Sequence, residues 1–123
     1  MPLCQTLGMR AERFDGEEVT LSMDWTEELC TSNGLLHGGA LMALADSAGG
    51  ACAFLNLPDD AVGTSTIESK TNFFGSVKAG EVTASAKPLH AGSTTIVIET
   101  TVVTDERLVA KVTQTQIVLR PRS

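Results

Sequence analysis

The stretch from residue 38 to residue 55 constrains the fold more than any other part of the 123-residue chain. It contains no proline and no β-branched residue, and alanine, leucine and methionine dominate its first half. Such a composition favours a helix over a strand, and a helix that is apolar on all sides must be buried. Pro58 is expected to end it. We therefore expect one buried central helix, with Asp46 as its only charged residue.

The segments around this helix are predicted to be strands. They place Thr, Val and Ile at a period of two, and short turns separate them. One strand, 17–25, precedes the helix, and four follow it: 63–77, 82–89, 94–103 and 108–119. We expect the last four to form an antiparallel meander that wraps the helix in a single α+β domain over residues 1–123. Because a small sheet cannot enclose the helix completely, its open edge is expected to meet a second subunit.

Composition excludes several classes of partner. The formal net charge of −6 argues against nucleic acid, whose phosphates need a basic surface. The odd set of Cys4, Cys30 and Cys52 argues against a disulfide framework and favours a reducing compartment. The N-terminus lacks the basic start and apolar run of a signal peptide. Asp46 would cost about 3 kcal/mol at the centre of a bilayer. We expect a cytoplasmic protein without a membrane partner.

Other chemistries have little support. Residues 63–67 read Gly-Thr-Ser-Thr-Ile, which fails the G-x-S-x-G motif at its last position. The two histidines, His37 and His90, lack metal-ligand spacing, and no phosphate-binding or dinucleotide-binding glycine loop occurs. We therefore expect neither a metal site nor a cofactor.

Two motifs carry a family resemblance. His-Gly-Gly at 37–39 opens the predicted helix, and Asp46 follows nine residues after the histidine. A later strand carries Thr66 and Glu68 and ends in aromatic residues and the Lys-Ala-Gly-Glu turn at 78–81. In this order they resemble the hotdog-fold acyl-CoA thioesterases of the phenylacetate-degradation type (PaaI-like), over nearly the whole chain. The resemblance implies a hotdog fold, in which a curved antiparallel β-sheet wraps a long central helix.

The chain departs from this family at one position. The family often has Asn or Gln six residues before the histidine, where this chain has Thr31. Any role of that amide is either absent here or taken over by Asn33, two residues later.

Thioester hydrolysis explains these residue types. Donors aimed at the carbonyl oxygen stabilise the charge that develops there, and a helix N-terminus supplies free N–H groups. Gly39, and Gly38 as the second candidate, would act as this oxyanion hole. Asp46 would attack the thioester carbon or activate water as a general base. Thr66 is expected to orient the water or Asp46. His37 is expected to hold the helix start by hydrogen bonds.

Helix geometry adds a constraint on the site. Gly39 and Asp46 are seven residues apart, or roughly 10 Å along one helix, so they cannot both reach one carbonyl. They must come from different chains, as the resemblance also implies. We expect a homodimer or a dimer of dimers with shared active sites. The phosphates of coenzyme A need local cations, and the candidates are Lys70, Lys78, Arg120 and Arg122.

The predicted function is hydrolysis of an acyl-CoA with an aryl group, such as phenylacetyl, or a medium-chain acyl group. Two alternatives stay open: a hotdog module that binds acyl-CoA without cleaving it, and a hotdog dehydratase or hydratase, which needs a catalytic histidine paired with an acid. Each residue also has an ordinary structural explanation. Asp46 could be a buried structural carboxylate, Gly38 and Gly39 a tight turn, and Thr66 a strand residue.

Overall fold

A computed structural model describes residues 1–122 and shows one long helix packed against a six-stranded antiparallel sheet. Ser123, the last residue of the predicted domain, lies outside the described residues. The long helix is α2 (Gly38–Phe54), and a short helix, α1 (Pro2–Thr6), begins the chain. The strands are β1 (Arg10–Phe14), β2 (Val19–Asp24), β3 (Gly63–Phe73), β4 (Glu81–Ala91), β5 (Thr95–Thr104) and β6 (Arg107–Leu119).

The long helix and five of the six strands lie where the sequence places them. Two single-turn 3₁₀ helices, Glu27–Leu29 and Ser32–Gly34, connect β2 to α2, and Asn33 has a left-handed φ of 63° within the second. No sequence pattern predicts α1 or β1. All five residues of β1 are exposed, so it shows no apolar alternation.

The strand order is β1-β2-β4-β5-β6-β3, so the predicted four-stranded meander is wrong for β3. Only β4, β5 and β6 follow one another, whereas β3 pairs with β6 at the edge of the sheet. The reason lies in residues 74–80, which cross between β3 and β4 instead of making a tight hairpin. In this segment Val77 is fully buried, and its carbonyl accepts a hydrogen bond from the Leu36 N–H at 2.9 Å. Burial of Val77 therefore ends β3 early.

One face of α2 packs on the sheet and contacts β2 to β6. Leu44, Ala45 and Ala48 on this face are fully buried, and the small alanines let the helix approach the strands closely. The opposite face carries the exposed side chains of Met42, Asp46 and Phe54. Burial on all sides, as the composition predicts, is therefore not reached within one chain.

Part of the open face of α2 is covered by the N-terminal segment. The Cys4 thiol of α1 lies 3.4 Å from the Ser47 hydroxyl of α2. Strand β1 then extends the sheet beside β2, where Arg10 pairs with Asp24 and Glu81. Within residues 1–122, no helix is long and apolar enough to span a membrane.

Candidate active site

Asp46 stands halfway along the open face of α2 and lines a cavity of about 540 Å³. The aromatic side chains of Phe14 and Phe54 form part of its wall, together with Met1. Residues 63–66 of β3 and Gln116 of β6 close the side that faces the sheet. The carboxylate therefore borders a mainly apolar space. Within the single chain the Asp46 side chain is exposed.

The two oxygens of the Asp46 carboxylate have different surroundings. Oδ1 accepts hydrogen bonds from the Thr66 hydroxyl at 3.3 Å and from Gln114 Nε2 at 3.2 Å. No hydrogen bond from residues 1–122 reaches Oδ2. One oxygen is thus anchored to the sheet, and the other is available to a molecule in the cavity.

The Thr66 hydroxyl is itself oriented by the neighbouring strand. It accepts a hydrogen bond from Gln116 Nε2 at 2.5 Å, so its own proton is directed at Asp46. The oxygen Oε1 of Gln116 in turn accepts from the Thr64 hydroxyl at 3.1 Å. A register shift between Thr66 and Glu68 marks a β-bulge directly after Thr66. Bulges of this kind redirect side chains, and this one turns Glu68 away from the helix.

Gln114 and Gln116 also belong to the candidate site, although no sequence motif points to them. Both are almost completely buried, at 0% and 1% exposure. A signal was present, because β6 alternates so that they share the buried face with Val112 and Val118. Amides at apolar positions must find polar partners. The pattern could have flagged both residues, but it could not have named Asp46 or Thr66 as their partners.

The start of α2 is held by His37. Its Nδ1 accepts a hydrogen bond from the Gly39 N–H at 2.8 Å, and its carbonyl accepts from the N–H groups of Ala40 and Leu41. The Gly38 N–H has no partner within residues 1–122. From the sequence, Gly39 is the first candidate for the oxyanion donor. Its N–H, however, already donates to Nδ1 of His37. The donor left available is the Gly38 N–H.

His37 and Gly39 line a second cavity of about 330 Å³, which does not include Asp46. Leu3 and Leu7 of the N-terminal segment also border it, whereas Met1 borders the Asp46 cavity. The described chain thus presents the helix N-terminus and the carboxylate in two separate spaces.

The candidate cations are not at either cavity. Arg120 donates to Asp60 Oδ2 at 2.7 Å and to the Ser93 carbonyl at 2.6 Å, and its guanidinium holds the pKa of Asp60 below its ordinary value. Lys70 pairs with Thr113, which places it on the face of β3 that points away from the helix. Lys78 is exposed in the segment between β3 and β4. Neither lysine forms an ion pair within residues 1–122.

The remaining candidates are also outside the two cavities. Asn33 is exposed in its 3₁₀ turn, and Arg122 follows the end of β6. The described part of the chain holds no group of three or more His, Cys, Asp or Glu side chains that could bind a metal ion. Cys4, Cys30 and Cys52 are free thiols, and burial raises the pKa of the Cys52 thiol.

Comparison with known proteins gives concordant findings. The family described as the Thioesterase superfamily matches residues 33–111, which is more than half of the chain. A 1,4-dihydroxy-2-naphthoyl-CoA hydrolase of Listeria monocytogenes is 31% identical over 106 residues, covering 86% of this chain and 85% of that protein. PA1618 of Pseudomonas aeruginosa, provisionally named an esterase, is 37% identical over 89 residues, covering 72% of this chain. The match spans only 61% of the length of PA1618.

A solved structure has the same fold. Thioesterase HI1161 from Haemophilus influenzae superimposes with a TM-score of 0.89 at 25% sequence identity, covering 96% of this chain and 82% of the other. The expected hotdog fold is confirmed.

Proposed function

Because this chain belongs to the thioesterase superfamily, we propose that it hydrolyses acyl-CoA thioesters to a free acid and coenzyme A. The observation that carries this proposal is the state of Asp46, whose Oδ1 is held by two donors while Oδ2 is free beside an apolar cavity. A relative named as a hydrolase of an aromatic acyl-CoA adds support. Coenzyme A takes part as half of the substrate, and the reaction requires no cofactor.

Asp46 would act through Oδ2 in one of two ways. As a nucleophile, it attacks the thioester carbon, expels the thiolate of coenzyme A and leaves a mixed anhydride that water then cleaves. As a general base, it takes a proton from a water molecule that attacks the same carbon. Both routes need the carboxylate held in one orientation, which the bonds to Oδ1 provide. Thr66 thus serves to orient Asp46.

The oxyanion that forms on the carbonyl oxygen needs a donor. The Gly38 N–H is suited to this role, since it points out of the positive end of α2 and has no partner within residues 1–122. The Gly39 N–H would serve only after leaving His37. His37 therefore supports the site by capping the helix, and its Nδ1 lone pair is not free to act as a base.

The active site is proposed to be shared between two subunits. Gly38 and Asp46 are eight residues apart on one helix, or roughly 12 Å, and the cavities beside the helix start and beside Asp46 are separate. Two α2 helices packed antiparallel would bring Gly38 of one chain to Asp46 of the other. The edge strand β3, with Ile67 and Phe73 exposed, offers an unpaired edge for such a dimer.

The acyl group would occupy the apolar part of the Asp46 cavity. Phe14 and Phe54 offer aromatic surfaces, and a volume of about 540 Å³ lies in the range of small-molecule sites. Aromatic walls stack well on an aryl acyl group, which favours it over a medium-chain acyl group. The phosphates of coenzyme A would lie outside this cavity. Lys78 is the candidate cation for them, because its neighbour Val77 accepts a hydrogen bond from the Leu36 N–H just before the start of α2.

A dehydratase is less well supported. It would need a catalytic histidine with a free ring nitrogen beside an acid, whereas His37 Nδ1 already accepts the Gly39 N–H. A non-catalytic binder differs from the proposal only in its chemistry, so an activity assay separates the two.

The deciding experiment measures thiol release from a panel of aryl and aliphatic acyl-CoAs. We expect hydrolysis of at least one ester by the wild type and a loss of about a hundredfold or more in kcat for Asp46→Ala. Asp59→Ala, which removes an exposed carboxylate outside both cavities, is the matched control. A wild type that binds the esters without cleaving them would establish the binder instead. Full activity in Asp46→Ala would remove Asp46 from the chemistry.

A further inference from the structure

We propose that Gln114 is a positioning residue that fixes the plane of the Asp46 carboxylate, and that residue 49 is glycine so that the Gln114 amide can reach it. This inference rests on the proposed function, because it concerns the orientation of the group assigned to the chemistry. Neither residue touches the space in which the substrate would lie.

The position of Gln114 is costly for stability. Its side chain is fully buried, and its Oε1 has no hydrogen-bond partner within residues 1–122. A buried acceptor without a partner destabilises a protein by about 1–3 kcal/mol, a cost that an apolar side chain of the same length would avoid. Among residues 1–122, the single polar contact that the amide makes is with Asp46, from Nε2 to Oδ1 at 3.2 Å. The amide is therefore better explained by Asp46 than by packing.

Only one orientation of this amide suits Asp46. Exchanging its oxygen and nitrogen would place Oε1 against the carboxylate, and two acceptors at that distance repel. The NH₂ group must therefore face Asp46, which leaves Oε1 directed at α2.

Gly49 provides the space for this orientation. A Cβ at residue 49 would overlap Oε1 of Gln114 and would lie 2.5 Å from Cδ and 3.1 Å from Nε2. A Cβ at the neighbouring Gly50 would meet no atom within 4 Å. Any side chain at residue 49 would thus displace the amide from Asp46, whereas residue 50 carries no such restriction.

Two hydrogen-bond donors on two different strands restrict the rotation of the Asp46 carboxylate more than a single donor would. Thr66 approaches Oδ1 from β3 and Gln114 approaches it from β6. With both bonds made, rotation of the carboxylate about its terminal torsion breaks at least one of them, and that torsion is otherwise soft. Loss of Gln114 would let Oδ2 turn away from the thioester carbon. A misplacement of about 1 Å costs up to a hundredfold in rate.

The test replaces Gln114 by methionine, which keeps the length of the side chain and removes the donor. We expect kcat to fall by about ten- to a hundredfold with KM changed less than about twofold, while the melting temperature stays equal or rises. Val112→Ala, two residues earlier on the same buried face, is the control for destabilisation. It should lower the melting temperature and leave kcat of the folded enzyme near the wild-type value. A purely structural Gln114 would behave like Val112.

A second variant approaches the same contact from the helix. Gly49→Ala should lower kcat to a similar extent, and the double variant Gly49→Ala, Gln114→Met should be no slower than the worse single variant, because both remove one interaction. Wild-type kcat in Gln114→Met, or additive losses in the double variant, would overturn the inference.

An NMR measurement separates this inference from the proposed function. The side-chain NH₂ signal of Gln114 should shift in Asp46→Ala whether or not the protein cleaves thioesters. An unchanged signal would refute the contact itself. A wild type that is inactive on every ester, with the signal shifted, would refute the proposed hydrolysis and the positioning role in it but retain the contact.

Discussion

The N–H group of Gly38 can be removed with little disturbance to the helix that presents it. Proline is favoured at the first position of a helix, where its missing N–H has no intrahelical partner. His37, the residue before it, has φ −62° and ψ 134°, the extended conformation that a residue preceding proline requires. Gly38→Pro therefore deletes one donor, and Gly38→Ala is its control because alanine adds a Cβ and keeps the donor.

The structure sets the steric part of this comparison. A Cβ at residue 38 would lie 3.3 Å from Cζ of Phe73, a tight contact that both variants share. The Phe73 ring is about half exposed and has room to shift. The difference between the variants then reports mainly the donor, and one oxyanion-hole donor is worth about a hundred- to a thousandfold in kcat, or about 3–4 kcal/mol.

Steady-state thiol release measures the effect, and circular dichroism verifies that both variants fold. We expect kcat to fall by about a hundredfold or more in Gly38→Pro and by less than about threefold in Gly38→Ala. Equal activities would refute the assignment of the Gly38 N–H as the donor.

Refolding a mixture of Gly38→Pro and Asp46→Ala chains then tests the shared site. Heterodimers would regain one intact site, giving about a quarter of the wild-type activity, and no recovery would contradict sharing.

Three further outcomes are expected. In thermal or urea denaturation, Gly50→Ala should raise the free energy of unfolding by about 0.5–1 kcal/mol and Gly49→Ala should lower it by about 1–3 kcal/mol; equal shifts would contradict the packing of α2. Lys78→Ala should raise KM severalfold for acyl-CoAs but not for N-acetylcysteamine thioesters, which lack the phosphates. A rise in KM for both kinds of ester would show that Lys78 does not bind a phosphate of coenzyme A. Carboxyl NMR should show the lowered pKa of Asp60 returning toward its ordinary value in Arg120→Ala.

The lowered pKa of Asp60 also makes the effect of Arg120→Ala on stability depend on pH. A carboxyl whose pKa is lower in the folded state contributes stability above its unfolded pKa, and this contribution is lost as the pH falls through the folded value. The stability difference between the wild type and Arg120→Ala should therefore shrink in acid. The pair is exposed, so the difference should also weaken with added salt.

The sequence by itself determined the local features of this protein. The composition of residues 38–55 specified a helix because side-chain preferences act within a few turns. Alternation specified the strands because successive side chains of a strand point to opposite faces. The spacing of Gly39 and Asp46 also sets them roughly 10 Å apart along one helix, because the rise per residue is constant.

Only the tertiary structure decided which strands are neighbours and which side chains meet. A period of two is the same for any pairing, so it could not place β3 beside β6. That pairing puts Thr66 next to Gln116 and both near Asp46. The contact of Gln114 with Asp46 likewise joins residues 68 positions apart. Such contacts depend on how the helix settles on the sheet, which no local pattern encodes.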